Sequence, residues 1–202
     1  MLFFCAYVKY VGGIVGNGLL AMDPEKVDTI IKWERPTTTT ELRAFLGMCN
    51  FLRRWYQGYA EDSRPLNALL KKGKQVVRDW TNVQTEAFER LKKSFRTNPI
   101  LRMPDFNKPF VIHTDSCDHS LGGVLLQETD DHLLPIAYHS RAFNSAEMNY
   151  SVRDQEGLAI VDTFRKFQHY LLGSRFSVII RTDHSSLTTL TNGKPLTGRL
   201  GR

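Results

Sequence analysis

The sequence predicts an α/β chain in which a helical half leads into a mixed sheet crossed by one long helix. Two observations carry this. Between Asp23 and Pro99 apolar residues recur at helical spacing, and each run is punctuated by a capping residue or a proline. After Pro104-Asp105 the period falls to two over three short runs, followed by another helical stretch and a last apolar run. At 202 residues the chain can bury one large core or two small ones.

Residues 7–20 carry Gly12, Gly13, Gly16 and Gly18 and read as a strand pair around a glycine-rich turn. These glycines lack the Lys-Ser/Thr ending of a phosphate loop and the spacing of a dinucleotide fingerprint, so a turn is the better reading. Asp23 can cap a first helix, with Pro24 at its first position and Val27, Ile30 and Ile31 on one face; Pro36 stops it. Thr38 and Glu41 form a capping box for a second helix, carrying Leu42, Phe45, Leu46, Cys49 and Leu52 and closed by Gly58. Ser63 and Pro65 open a short third helix that ends near Gly73. Thr81 and Gln84 open a fourth, with Ala87, Phe88, Leu91 and Phe95 on one face, ending before Pro99. These stripes read as core.

Strands are expected at about 109–116, 120–128 and 133–141, as an antiparallel meander with Asp118 and Asp130-Asp131 in its turns. A long helix from near Ser145 to Leu172 then leads to a strand at about 175–183. That strand would lie parallel to the first, with the helix as crossover, which puts Asp115 and Asp183 on neighbouring strands.

Charge is unevenly placed. Residues 1–108 hold 18 Lys and Arg against 11 Asp and Glu, a balance of +7; residues 109–202 hold 9 against 10, a balance of −1. A basic helical half beside an acidic half suits a protein that grips phosphates with one part and does chemistry with the other, although a charge excess also keeps helices solvated. Among the outward residues, Arg53, Arg54, Lys92 and Lys93 are the candidate phosphate contacts. Cys5, Cys49 and Cys117 are odd in number and far apart, which argues for a reducing compartment. All six His follow residue 112, and His113 and Cys117 share a strand face with Asp115, yet no Cys-x-x-Cys or paired-His motif supports zinc. The apolar start, Met1 to Val8, is too short to span a membrane and lacks a basic leader; it reads as a core strand.

Three carboxylates stand in apolar surroundings: Asp115 ends Phe110-Val-Ile-His-Thr-Asp, Glu156 lies in Asp154-Gln-Glu-Gly-Leu-Ala-Ile-Val, and Asp183 ends Val178-Ile-Ile-Arg-Thr-Asp. A carboxylate so placed is costly to bury unless a cation meets it. Oxygen-rich clusters suit Mg²⁺ or Mn²⁺, and two such ions about 3.5–4 Å apart can clamp a phosphodiester for hydrolysis. Glu156 shares its helical face with Val152, Ala159 and Ile160, and Arg153 is the one base at i±3 or i±4, so a metal is the preferred partner. Asp154 points to another face. Asp183 alone would read as a helix N-cap; beside the other two it reads as a ligand. Tyr59-Ala-Glu-Asp62 is similar to a polymerase Tyr-x-Asp-Asp only faintly, with Glu at its third position and a place between helices.

Several segments together carry a resemblance. Thr114-Asp-Ser-Cys-Asp-His-Ser-Leu-Gly-Gly-Val-Leu-Leu-Gln127, Ile136-Ala-Tyr-His-Ser-Arg141, Asn149-Tyr-Ser-Val-Arg-Asp-Gln-Glu-Gly-Leu-Ala-Ile-Val161, Tyr170-Leu-Leu-Gly173 and Thr182-Asp-His184 follow one another in family order. They resemble the ribonuclease H domain of gypsy-type LTR retrotransposon polyproteins. Upstream, Phe45-Leu-Gly-Met-Cys-Asn-Phe-Leu-Arg-Arg54 and Pro65-Leu-Asn-Ala-Leu-Leu70 resemble the thumb of the same family's reverse transcriptase. Trp80, Ala87-Phe-Glu-Arg-Leu-Lys92 and Asn98-Pro-Ile-Leu101 resemble the join.

The resemblance implies residues 1–20 as the end of the palm, 21–98 as the helical thumb and join, and 99–202 as an incomplete ribonuclease H-like mixed sheet with a crossover helix. It implies Asp115, Glu156 and Asp183 as ligands of Mg²⁺ (or Mn²⁺), water as nucleophile, an RNA–DNA hybrid or other nucleic acid and the rest of the polyprotein as partners, no membrane, and an intracellular setting in the cytoplasm or retrotransposon particles. Ser116-Cys117 replaces the family's usual Ala-Ser, Gly157 stands in mid-helix, and Arg153 stands where a small polar residue is common. The expected last strand, last helix and fourth carboxylate lie beyond residue 202, and the polymerase carboxylates before Met1. That makes a fragment with no polymerase site and weak or absent nuclease activity. The alternative is a degenerate or domesticated remnant that binds nucleic acid or a protein partner without catalysis. An exonuclease or integrase-like transposase of the same fold is disfavoured by the thumb-like half.

Overall fold

The computed structural model describes residues 7–10, 12–97 and 100–182. Cys5, Asn98, Pro99, Asp183 and His184 lie outside them, as does most of the apolar start. The chain divides into two compact units, Met1–Met103 and Pro104–Arg202.

The first unit begins with a meander: β1 (Val8–Tyr10), β2 (Gly13–Gly16) and β3 (Leu19–Met22), antiparallel throughout. Asn17 and Gly18, with φ of 50° and 71°, make the second turn, the conformation that an Asn-Gly hairpin favours. There are thus three strands where a pair was expected, and β1 is exposed along its length; the core strand expected over Met1 to Val8 lies mostly outside the described residues. A fourth strand, β4 (Leu101–Arg102), pairs with Leu19 and Leu20.

Helix α1 (Pro24–Ile31) starts where Asp23 accepts the Glu25 N–H, and α2 (Thr39–Phe51) starts on the Thr38–Glu41 capping box. Gly58 does not close α2. That helix ends at Phe51 and passes through a 3₁₀ turn (Arg53–Trp55), while Gly58, at φ 78°, leads into α3 (Tyr59–Ala68). Ser63 and Pro65 lie inside α3 instead of opening it. Pro65 removes one hydrogen bond to the Glu61 carbonyl, and because Glu61 is exposed, water can serve that oxygen. A short α4 (Val76–Asp79), unforeseen in the sequence, precedes α5 (Asn82–Arg96), whose Thr81–Gln84 capping box forms as expected. The core joins Ile30, Leu42, Phe45, Leu52, Leu66, Leu91 and Phe95, all essentially buried. The Phe45 and Phe88 rings meet at 4.7 Å and Trp33 packs edge-on to Phe45 at 5.8 Å.

The second unit is a mixed sheet in the order β7-β6-β5-β8, formed by β5 (Val111–Cys117), β6 (Ser120–Thr129), β7 (His132–Ala142) and β8 (Ile179–Thr182). The first three are antiparallel neighbours. β8 lies parallel to β5, in register from Val111↔Ile179 to Thr114↔Thr182. Asp130 and Asp131 turn β6 into β7 with φ of 51° and 62°. Pro135 sits on β7 at a bulge opposite Leu125/Leu126, a position where its missing N–H is tolerated on an outer strand. The expected helix from 145 is two pieces: a 3₁₀ turn (Glu147–Asn149) and α6 (Val152–Leu171), which begins where Ser151 accepts the Asp154 N–H. Phe110, Ile112, Leu125, Ile136, Ala137, Phe167 and Leu171 form one buried cluster; Leu121, Phe143 and Ala159 form another. Both lie between the sheet and α6.

Candidate functional site

Glu156 lies one turn into α6 and is 4% exposed. Its face continues through Ala159, Thr163, Phe167 and Leu171, all buried. Val152, expected on that face, is 61% exposed because it is the first helical residue and precedes the packing. Arg153 is exposed. The carboxylate is met instead from the sheet: the Ser116 hydroxyl donates to Glu156 Oε1 at 2.7 Å. The other oxygen, Oε2, is buried and has no hydrogen-bond partner among the described residues. Such a group costs free energy unless something outside the protein's own donors meets it.

Asp115 precedes Ser116 on β5. Phe110 and Ile112 pack with α6, and Ser116, in phase with them along the strand, meets the helix at Glu156; Asp115 is exposed. Asp183 lies outside the described residues, but the residues that precede Asp115 and Asp183, Thr114 and Thr182, are partners across the β5–β8 ladder. Among the described residues no three His, Cys, Asp or Glu side chains form a group that could hold a metal ion. His113 is held below the ordinary imidazole range, by burial first and then by the charge of Arg181, so it is neutral at pH 7. Its Nε2 is buried without a partner among the described residues. Cys117 contacts the Ser120 hydroxyl at 3.1 Å. Asp154 accepts from the Ser151 hydroxyl at 2.9 Å, a capping role. Asp62 of the faint polymerase-like tetrapeptide accepts from Tyr56 at 2.7 Å and from Arg90 at 3.0 Å, on a helix rather than a hairpin.

A second constellation was not singled out in the sequence. Arg141 on β7 donates to both oxygens of Glu147, at 2.8 and 3.0 Å, and to Asp162 Oδ1 at 2.8 Å. Asp162 Oδ2 meets His139 Nε2 at 2.8 Å. Glu147 also receives the Asn144 N–H, and its own carbonyl accepts from Gln155, the neighbour of Glu156. The network fastens both halves of α6 to β7. Arg141 holds Glu147 below the ordinary carboxylate range. For Asp162 burial acts upward, and the hydrogen bonds from His139 and Arg141 outweigh it, so its carboxyl is lowered too.

Of the candidate phosphate contacts, Arg53 donates to Asn50 at 3.2 Å and Arg54 lies over the Trp55 ring at 5.2 Å. Lys92 donates to the Trp33 carbonyl at 2.9 Å and lies over Phe88 at 4.9 Å. Lys93 is exposed. Lys92, Lys93 and Arg96 line one side of an open groove along α5, with Ile31 of α1, and Glu86 and Glu89 share the same groove. No helix of the described residues is long and apolar enough to cross a membrane.

Comparison with known proteins places this arrangement. Residues 80–178 match the family model of an RNase H-like domain found in reverse transcriptase. The chain is 36% identical, over 99% of its length, to the Tf2-3 and Tf2-4 transposon polyproteins of Schizosaccharomyces pombe (strain 972), and spans 15% of each. The foamy viral protease-reverse transcriptase solved in complex with double-stranded DNA shares the fold with a TM-score of 0.77 and 20% identity, covering 93% of this chain and 32% of that one. The foamy viral protein solved with an RNA/DNA hybrid gives a TM-score of 0.76 and 21% identity, covering 93% and 25%. The chain is thus a relative of retrotransposon polyproteins over nearly its whole length, and its residues 80–178 belong to the family of the RNase H-like domain found in reverse transcriptases.

Proposed function

We propose that the chain is the part of a retrotransposon polyprotein in which a helical thumb passes into a ribonuclease H domain, and that this domain cuts the RNA strand of an RNA–DNA hybrid. Residues 1–20 would be the end of the palm and 21–98 the thumb and join. Residues 99–202 would be the ribonuclease H domain, lacking its last strand and helix.

The observation that carries the reading is the carboxylate of Glu156. It is buried, one oxygen is engaged by Ser116, and among the described residues no base partners it and the other oxygen is unmatched. That donor chemistry fits a hard divalent cation. Asp115, Glu156 and Asp183 would hold Mg²⁺ or Mn²⁺, and the ions, when bound, supply positive charge at the scissile phosphate. The residues themselves orient that charge: Glu156 from a helix locked to the sheet by Arg141, Asp115 from the end of the central strand.

Arg53, Arg54, Lys92 and Lys93 would hold the hybrid by its backbone, giving salt-sensitive binding that is largely blind to sequence. The remaining partner would be the rest of the polyprotein, in an intracellular setting.

The test is cleavage of an end-labelled RNA–DNA hybrid by the full 202-residue chain in excess, with Mg²⁺ or Mn²⁺. The expected result is weak metal-dependent scission of the RNA strand alone, lost in Glu156→Gln while hybrid binding is kept. Binding without any metal-dependent scission in the unaltered chain would overturn the catalytic reading and leave a binding remnant.

A further inference from the structure

We infer that Ser116 is a positioning residue for Glu156: its hydroxyl takes up Oε1 and so presents Oε2 as the single oxygen offered to a divalent cation. The inference rests on the reading of Glu156 as a metal ligand. It adds a specific residue to that site and a specific division of labour between the two carboxylate oxygens.

The geometry is asymmetric. The 2.7 Å contact of Ser116 with Oε1 spans 40 residues of sequence, from β5 to α6, and is short enough to be a charge-assisted hydrogen bond. Among the described residues no second donor reaches the carboxylate: Gln155 is turned to the Glu147 carbonyl, Arg153 is exposed, and Oε2 is buried with no partner. A glutamate side chain has three rotatable bonds, and a carboxylate tied at neither oxygen could swing between rotamers. One fixed oxygen removes that freedom before any ion arrives. An outer hydrogen bond of this kind orients a ligand, and its loss ordinarily weakens metal binding about 10–100-fold.

The experiment is Mn²⁺ titration of the full chain by calorimetry, with far-UV circular dichroism and melting of the metal-free protein alongside. Ser116→Ala should bind Mn²⁺ about 10–100-fold more weakly with the same secondary structure. Ser116→Thr and Ser116→Val form a second comparison at one side-chain shape, differing only in the hydroxyl, and serve if the Ala variant fails to fold. The Thr variant should bind more tightly than the Val variant. Cys117→Ala, which removes a side chain bonded to Ser120 and not to Glu156, should leave affinity unchanged. Equal affinities in the Thr and Val variants, or an unaltered Ala variant, would overturn the role of Ser116, provided Glu156→Gln abolishes binding. If Glu156→Gln binds Mn²⁺ as the unaltered chain does, the reading of the site itself falls, and the inference with it.

Discussion

Thr163 of α6 fills the space that a side chain on Gly123 of β6 would need. A Cβ placed on Gly123 would overlap both Oγ1 and Cγ2 of Thr163, which is itself fully buried. Helix and strand approach this closely because residue 123 has no side chain. Gly123→Ala should therefore destabilise the second unit by about 1–3 kcal/mol. Thr163→Ala, by removing the two nearest atoms, should recover part of that loss in the double variant. Melting the two single variants and the double one checks this, and simple additivity would mean that the helix yields without strain.

Acid should weaken the second unit through Arg141. Glu147 and Asp162 both titrate below their ordinary values in the fold, so each contributes stability that is complete above the unfolded-state value and is lost as pH falls through the folded one. The loss is expected to set in below about pH 5 and to deepen toward lower pH. Arg141→Met should lower stability at neutral pH by roughly 2 kcal/mol, because it takes the cationic partner from two partly buried carboxylates and leaves them only His139 and the Asn144 N–H. It should also flatten the acid limb. Denaturant melts at pH 7 and pH 4 measure both effects, and an unchanged slope between them would remove Arg141 as the cause.

Asp115 and Asp118 lie three residues apart and are both exposed, but only Asp115 stands beside the strand position in contact with Glu156. Asp115→Asn should weaken Mg²⁺ binding about tenfold or more, whereas Asp118→Asn, in the β5–β6 turn, should change it little. Equal effects in a titration would mean that the ligands are misassigned.

The two lysines of α5 should separate. Lys92 is tied to the Trp33 carbonyl and covers the Phe88 ring, so Lys92→Ala should cost about 1 kcal/mol of stability in addition to any loss of hybrid affinity. Lys93 is exposed, so Lys93→Ala should leave the melting temperature alone. It should weaken hybrid binding and lower the slope of log affinity against log salt by about 1. A salt slope unaltered by Lys93→Ala would make that residue part of a solvated face only.

Much of this was legible because it is local. Capping boxes at Thr38–Glu41 and Thr81–Gln84 span three residues and depend on little else, and both formed. The period-two runs and the crossover helix likewise gave the order of the sheet. Misreadings arose where a residue has two local uses. Gly58 suits the end of one helix or the start of another, and Pro65 can open a helix or sit within one where water serves the freed carbonyl. The burial of Glu156 was readable from its stripe, but the hydroxyl that meets it comes from 40 residues away, and the Arg141–Asp162 pair joins residues 21 apart. Two-residue strands such as β4 leave no periodic trace.

That short strand carries a kinetic consequence. Leu101 is fully buried, and its partner Leu20 nearly so, yet roughly 80 residues of chain separate them. As the protein leaves the ribosome, the β1–β3 hairpins and the helices that follow can form from near neighbours, but the outer edge of β3 stays uncovered until residue 102 emerges. The step that completes this unit is thus its longest-range and latest one. A ribosome stalled within α5 would present an open strand edge, rich in leucine, to whatever other chains are nearby.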